Sequence, residues 1–383
     1  MASIVGWVDY DQGDADRARQ LISLFSTPEA RDELGLGAIR DAFSDLLFPG
    51  TSTIQTRLRY FIFLPRIMSE IERRLARAAD REAILRKREA DLIGQFADAA
   101  DRLGLIGAEA GPAIKRMPSA VYWHGLGAWG IRLNQSQGIA LTLDRMAAGD
   151  PCWLEVPVEG EMDTFMLTPA ERGFLAELAG TLRVGDHLPP LGWLFINAAA
   201  VVKAAGGRAA LARAQLSDLP AALRRCGAPP SVLDDLACAV SFSQVMHGAS
   251  LLYNRMLAEH AKDEGLAGEY AGRAEEWRRS LPARQIDPAT LLEPLGKVMG
   301  PRAFNPATID FVGKWFEFAW SDHQGVGARS LVTDRERRAK GSRARLAKPP
   351  GSEWLGASGA DRLAFRWPTV RQYLLDLTGP GGR

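Results

Sequence analysis

The chain has 383 residues, with 47 Lys and Arg against 46 Asp and Glu, for a net charge of +1. That length suffices for two or three domains of about 100–200 residues and a substantial core, and apolar and charged fractions of 46% and 24% exclude wholesale disorder. Near-neutrality excludes a whole-molecule field for an acidic partner, so any basic surface has to come from local segregation of charge.

Helical periodicity dominates the chain, and a mainly α, multi-helix protein is expected, with a minor β-hairpin or extended element between helical domains. Asp14 to Phe25 reads as a helix with an acidic start, and a second helix runs from Ala38 to Leu47. After the Pro49-Gly50 turn, the hydroxyls of Thr51, Ser52 or Thr53 can cap a helix that carries Ile54, Leu58, Phe61, Met68, Ile71 and Leu75 near one face. Pro65 lies inside it and predicts a kink or break. A charged partner helix follows from about Arg81 to Leu103, with Leu85, Leu92, Phe96, Ala99 and Leu103 as its apolar stripe.

Tyr122, Trp123 and Trp129, interleaved with Gly125, Gly127 and Gly130, read as close core packing. Prolines and alternating apolar residues between Gly149 and Leu167 predict extended chain, one hairpin at most. Thr168-Pro169-Ala170-Glu171 is a capping-box helix start. Helices are expected at Glu171–Leu182, Pro190–Ala204, Arg208–Ala214 and Asp218–Cys226, then a long one from about Ser231 to Glu264. Asp287-Pro288 and Asn305-Pro306 are two more cap-then-proline starts. A short strand is expected at Leu363–Trp367, with a last helix after Pro368. These readings divide the chain into an N-terminal helical domain (1–149), a central helical domain (150–324) and a basic C-terminal segment (325–383).

Three scattered cysteines without C-x-x-C spacing fit reduced thiols rather than a disulfide framework or zinc site. The opening residues lack a basic region followed by an apolar run, and no apolar run approaches the roughly 20 residues of a membrane span. A cytoplasmic protein without membrane association is the expectation. The five histidines show no metal-ligand spacing, and no nucleophile elbow, kinase set, P-loop or dinucleotide fingerprint is present. No catalytic residue, metal or cofactor is therefore assigned.

The strongest chemical signal is the run from Arg335 to Lys348. It holds Arg335, Arg337, Arg338, Lys340, Arg343, Arg345 and Lys348 against the single acid Glu336. Such density neutralises phosphates and releases counterions, the sequence-independent part of DNA or RNA binding. A solvated basic face, or an arm docking on an acidic partner, is the competing reading. Arg57 and Arg59 open a second basic region that extends to Arg88, where interleaved acids make ordinary helix-surface pairs. Thr51, Ser52 and Thr53 could hold a phosphate at a helix start, although capping alone accounts for them.

Four blocks carry a resemblance. They are Asp32-Glu33-Leu34-Gly35-Leu36-Gly37 continuing to Leu47-Phe48-Pro49-Gly50-Thr51-Ser52-Thr53-Ile54-Gln55-Thr56-Arg57; Tyr122-Trp123-x-Gly125-Leu126 with Trp129-Gly130-Ile131; Gly248-Ala249-x-Leu251-Leu252-Tyr253-Asn254-x-Met256-Leu257-Ala258-Glu259; and Arg338-x-Lys340-Gly341-x-Arg343-Ala344-Arg345-Leu346. Together they resemble a bacterial family of unknown function whose members sit beside helicase and phospholipase-D-like nuclease genes in antiviral defence islands. Arg66 departs from it, standing where the family has a Trp. The resemblance implies a defence context with helicase or nuclease partners and supplies no catalytic residues. The expected function is thus a non-enzymatic defence subunit that binds DNA or RNA. The alternatives are a protein–protein scaffold, or an unrecognised nucleic-acid enzyme using acids such as Asp41, Asp45 and Glu259.

Overall fold

A computed structural model describes residues 32–73, 78–96, 102–135, 137–299, 304–348, 354 and 356–379. The expected helix at Asp14–Phe25 lies outside them. In chain order the helices are α1 (Gly37–Leu47), α2 (Tyr60–Glu72), α3 (Ala78–Gln95), α4 (Pro118–Ala128), α5 (Ile139–Ala147), α6 (Pro169–Thr181), α7 (Pro190–Ile196), α8 (Ala198–Ala204), α9 (Arg208–Leu211) and α10 (Leu219–Arg225). There follow α11 (Pro230–His260), α12 (Glu264–Ser280), α13 (Pro288–Leu292), α14 (Gly296–Met299), α15 (Pro306–Trp320), α16 (Val326–Lys340) and α17 (Trp367–Thr378). The protein is mainly α. Among the described residues there is no strand, only isolated bridges such as Arg132 with Trp153.

The proline starts behave as their chemistry dictates. Thr168 accepts the N–H of Glu171 while the Glu171 carboxylate accepts that of Thr168, completing the capping box. Asp287 and Asn305 accept the N–H of Ala289 and Ala307. Four expectations need correction. The hairpin at 149–167 does not form; the chain there stays extended and Arg66 and Arg59 hold its carbonyls at Gly160 and Thr164. No strand forms at Leu363–Trp367: Phe365 and Arg366, both at positive φ, make a turn, and Trp367 opens α17. α3 ends at Gln95, leaving Leu103 81% exposed. Finally, α2 starts only at Tyr60 and runs through Pro65, so Thr51, Ser52 and Thr53 do not cap it. What opens the chain before Tyr60 is long-range pairing: the N–H groups of Thr56 and Arg57 donate to the Tyr122 hydroxyl, and that of Leu58 to the Asp376 carboxylate.

The chain divides into two compact units, each assembled from separate stretches. Among the described residues, the larger takes in those between 39 and 243, 287–299 and 363–379. Its core is aromatic. Phe61 stacks on Trp129 at 4.1 Å, and Tyr122, Tyr60, Phe165 and Tyr373 pack around them. Gly125 is required here, since a Cβ would lie 2.5 Å from the Gly50 carbonyl oxygen. Two ion pairs are buried in this unit, Arg59 with Glu171 at 2.9 Å and Arg57 with Asp376 at 3.0 Å.

Among the described residues, the smaller unit takes in 32–38, 244–286 and 304–348 with 354 and 356–362. Trp277 and Trp315 of α12 and α15 pack together and donate their indole N–H groups to the Gln244 and Val245 carbonyls. The division falls inside α11, which is long and apolar enough by composition to cross a membrane, yet 61% of its most apolar window is buried within the protein.

Glu89 of α3 caps α4 from outside the helix, accepting the Ser119 N–H at 2.6 Å and the Ser119 hydroxyl at 3.0 Å. Burial pushes its carboxyl up from 4.5 to about 7 against those two bonds. The folded protein therefore holds this proton more tightly than the unfolded chain. The stabilisation is complete below about pH 4.5, declines between about 4.5 and 7, and is gone above. Denaturant midpoints at pH 5 and pH 8 should show wild type losing on the order of 3 kcal/mol relative to Glu89→Gln, whose amide satisfies Ser119 at either pH. Equal losses in both proteins would rule out Glu89 as the titrating group.

Candidate nucleic-acid interface

The basic run occupies the last turns of α16, a 3-10 turn at Gly341–Arg343, and the residues that follow. Arg337, Arg338 and Lys340 in the last helical turn oppose the negative end of the helix dipole. Gly341, at φ +54°, ends the helix and reverses the chain. The buried face of α16 consists of Ala328, Val332, Arg335 and Glu336. Helical spacing thus carries two charged side chains inward.

Arg335 is 7% exposed and serves the backbone. It donates to the carbonyls of Leu34, Gly35 and Ala307 and to the Thr308 hydroxyl. Glu336 is fully buried and accepts the N–H groups of Arg345 and Leu346 at 2.7 and 3.1 Å, fixing the chain after the turn. The Tyr253 hydroxyl lies 2.6 Å from Glu336 and 3.1 Å from Glu33, and its single proton goes to the nearer Glu336. Burial and then Glu336 raise the Tyr253 pKa, so the phenol stays protonated.

Glu33 is the second buried carboxylate. It pairs with Lys340, accepts the Ser358 hydroxyl at 2.7 Å, and lies 4.0 Å from Arg345, whose guanidinium donates to the same Ser358 oxygen. Asn254 exchanges two hydrogen bonds with the Ser358 backbone. Burial first, then the charges of Arg345 and Arg343, lower Lys340 from 10.5 to about 8.

Three of the seven expected phosphate ligands, Arg335, Lys340 and Arg345, are therefore engaged inside the smaller unit. Arg337, Arg338, Arg343 and Lys348 are exposed; Arg337 pairs with Asp334 at 3.5 Å, while Arg338, Arg343 and Lys348 have no acidic partner among the described residues. Arg57 and Arg59 belong to the larger unit and are buried there in their ion pairs. In that unit Thr51 is buried and donates to the Phe48 carbonyl, Ser52 accepts the Ile54 N–H, and Thr53 is exposed. The acids Asp41, Asp45 and Glu259 are each held by arginine: Arg40, Arg366, and the pair Arg255 and Arg329. Among the described residues no group of three His, Cys, Asp or Glu is placed to hold a metal ion.

Charge counting missed Glu33, Tyr253, Asn254 and Ser358. The first three stand inside blocks that carry the family resemblance, so block membership was the available signal; Ser358 had none. The model of a family of unknown function, DUF6361, matches residues 2–144 and 193–381, and the chain belongs to that family. Comparison with curated proteins and with solved structures gave no match.

Removing Arg335 would leave three backbone carbonyls without their donor, whereas Arg338 touches no partner. In urea unfolding, Arg335→Ala should lose about 3 kcal/mol and Arg338→Ala no more than about 0.5 kcal/mol. Comparable losses would contradict this division of the basic run.

Proposed function

We propose that this protein is a non-enzymatic, cytoplasmic subunit of a bacterial antiviral defence system that binds nucleic acid through Arg337, Arg338, Arg343 and Lys348. The observation that supports it is the exposure of these four cations along the end of α16, the 3-10 turn and the residues after it, three of them, Arg338, Arg343 and Lys348, without an acidic partner among the described residues. Exposed arginines on a rigid turn contact phosphates whatever the base sequence. Glu33 and Glu336 hold the turn from beneath through Lys340 and the N–H groups of Arg345 and Leu346. Helicase or nuclease subunits are the partners implied by the family resemblance, and they would supply the chemistry on the bound strand. That Asp41, Asp45 and Glu259 are each consumed by arginine contacts favours a binding role over a dispersed acidic active site.

Binding of the purified protein to labelled DNA and RNA, from about 50 to 200 mM salt, tests this reading. Four phosphate contacts predict a log–log slope of about −3 to −4. Arg338→Glu/Arg343→Glu should weaken binding and make the slope shallower by about 2. Absence of binding by wild type, or an affinity indifferent to salt, would overturn the proposal.

A further inference from the structure

The larger unit contains a cavity of about 340 Å³, at the lower end of the roughly 300–1,000 Å³ of small-molecule sites. Its walls come mainly from α9, α10, the segment between them and the first residue of α17. The space exists because alanine stands at positions 210, 214 and 222, where a longer side chain would fill it; buried Leu219 and Trp367 give it an apolar back. These walls are fixed before any ligand arrives. Trp367 and Arg371 both donate to the Ala214 carbonyl, at 2.9 and 2.8 Å. Arg208 of α9 donates to the Leu375 carbonyl and the Thr378 hydroxyl at the far end of α17. Three charged side chains line the same cavity: Arg213, Arg225 and Asp218. Arg225 donates one Nη to the Ala204 carbonyl, and one Asp218 oxygen accepts the Gln215 N–H, both at 2.7 Å. Neither arginine has an acidic partner among the described residues, and the other Asp218 oxygen has no donor among them. Charges of both signs therefore border one apolar space without neutralising each other.

We propose that this cavity binds a free α-amino acid with an apolar side chain. The arginines take its carboxylate, Asp218 takes its ammonium, and the side chain lies against the alanines, Leu219 and Trp367. A guanidinium fork matches a carboxylate with two parallel hydrogen bonds. A ligand with negative charge alone would meet Asp218 as a like charge, and an amine alone would meet two cations. The zwitterion satisfies both signs, and the volume suits a molecule of one residue's size. The cavity shares no residue with the basic run and adds a small-molecule ligand to the nucleic-acid role proposed above.

Leucine, methionine and phenylalanine are titrated into the full chain by isothermal calorimetry, and the tightest binder is set beside its own analogues lacking the ammonium or the carboxylate. Wild type should bind the amino acid at least about tenfold more tightly than either analogue, as expected for one lost charge-assisted contact. Arg213→Ala, a change confined to an exposed side chain, should weaken the amino acid about tenfold. Asp218→Asn keeps an acceptor for the Gln215 N–H; it should weaken the amino acid by a similar factor and leave the analogue without the ammonium no weaker. Ala210→Phe, which fills the space at a half-buried position, should remove binding. Equal affinity of wild type for the amino acid and its analogue without the ammonium would overturn the zwitterion, and binding of none of the three amino acids would overturn the site. Affinity unchanged in both Arg213→Ala and Ala210→Phe would place the ligand elsewhere and overturn it as well.

Discussion

A buried connecting segment has to find partners for its backbone N–H and C=O groups, and without a sheet they must come from somewhere else. In this protein they come from side chains, most of them far away in sequence. Arg335 takes three carbonyls, Glu336 two N–H groups, and Glu89, Glu72 and Asp376 one each, from Ser119, Cys152 and Leu58. Tyr122 accepts the N–H groups of Thr56 and Arg57. An unmade bond of this kind costs about 1–3 kcal/mol. The charged residues doing this are therefore part of each unit's core as much as its apolar side chains are.

That constraint explains what became of the arginines. Arg59 and Arg57 look like phosphate ligands in sequence because nothing nearby in the chain opposes them. Their partners, Glu171 and Asp376, stand 112 and 319 residues away. Arg335 and Glu336 are a different case. Val332, Arg335 and Glu336 follow Ala328 at i+4, i+7 and i+8, the spacing of a buried helix face. The period marked both as inward-facing, and counting charge along the segment concealed it.

The same distinction separates the legible parts of the fold from the rest. Helices that open on a cap and a proline, as at Thr168-Pro169, Asp287-Pro288 and Asn305-Pro306, are specified by four adjacent residues. α2 is not. Apolar spacing continued N-terminally to Ile54, but the turn at 51–59 is held open by Tyr122 and Asp376, and Ile54 is 41% exposed. Between 149 and 167 the alternating pattern pairs only at one isolated bridge, Trp153 with Arg132, and arginine side chains take the carbonyls of Gly160 and Thr164.

The basic run is legible by charge alone, whereas which of its cations the fold engages is not. Within the block Arg338-x-Lys340-Gly341-x-Arg343-Ala344-Arg345, most residues have a structural occupation. Lys340 and Arg345 meet Glu33, Gly341 reverses the chain, and Ala344 is 1% exposed in the packed turn. Arg338 and Arg343 have none: both are exposed, and neither has an acidic partner among the described residues. Folding alone supplies no reason for arginine at these two positions, since an exposed guanidinium flanked by like charges raises electrostatic energy. The proposed nucleic-acid role would supply one, with each exposed guanidinium meeting a phosphate from solution.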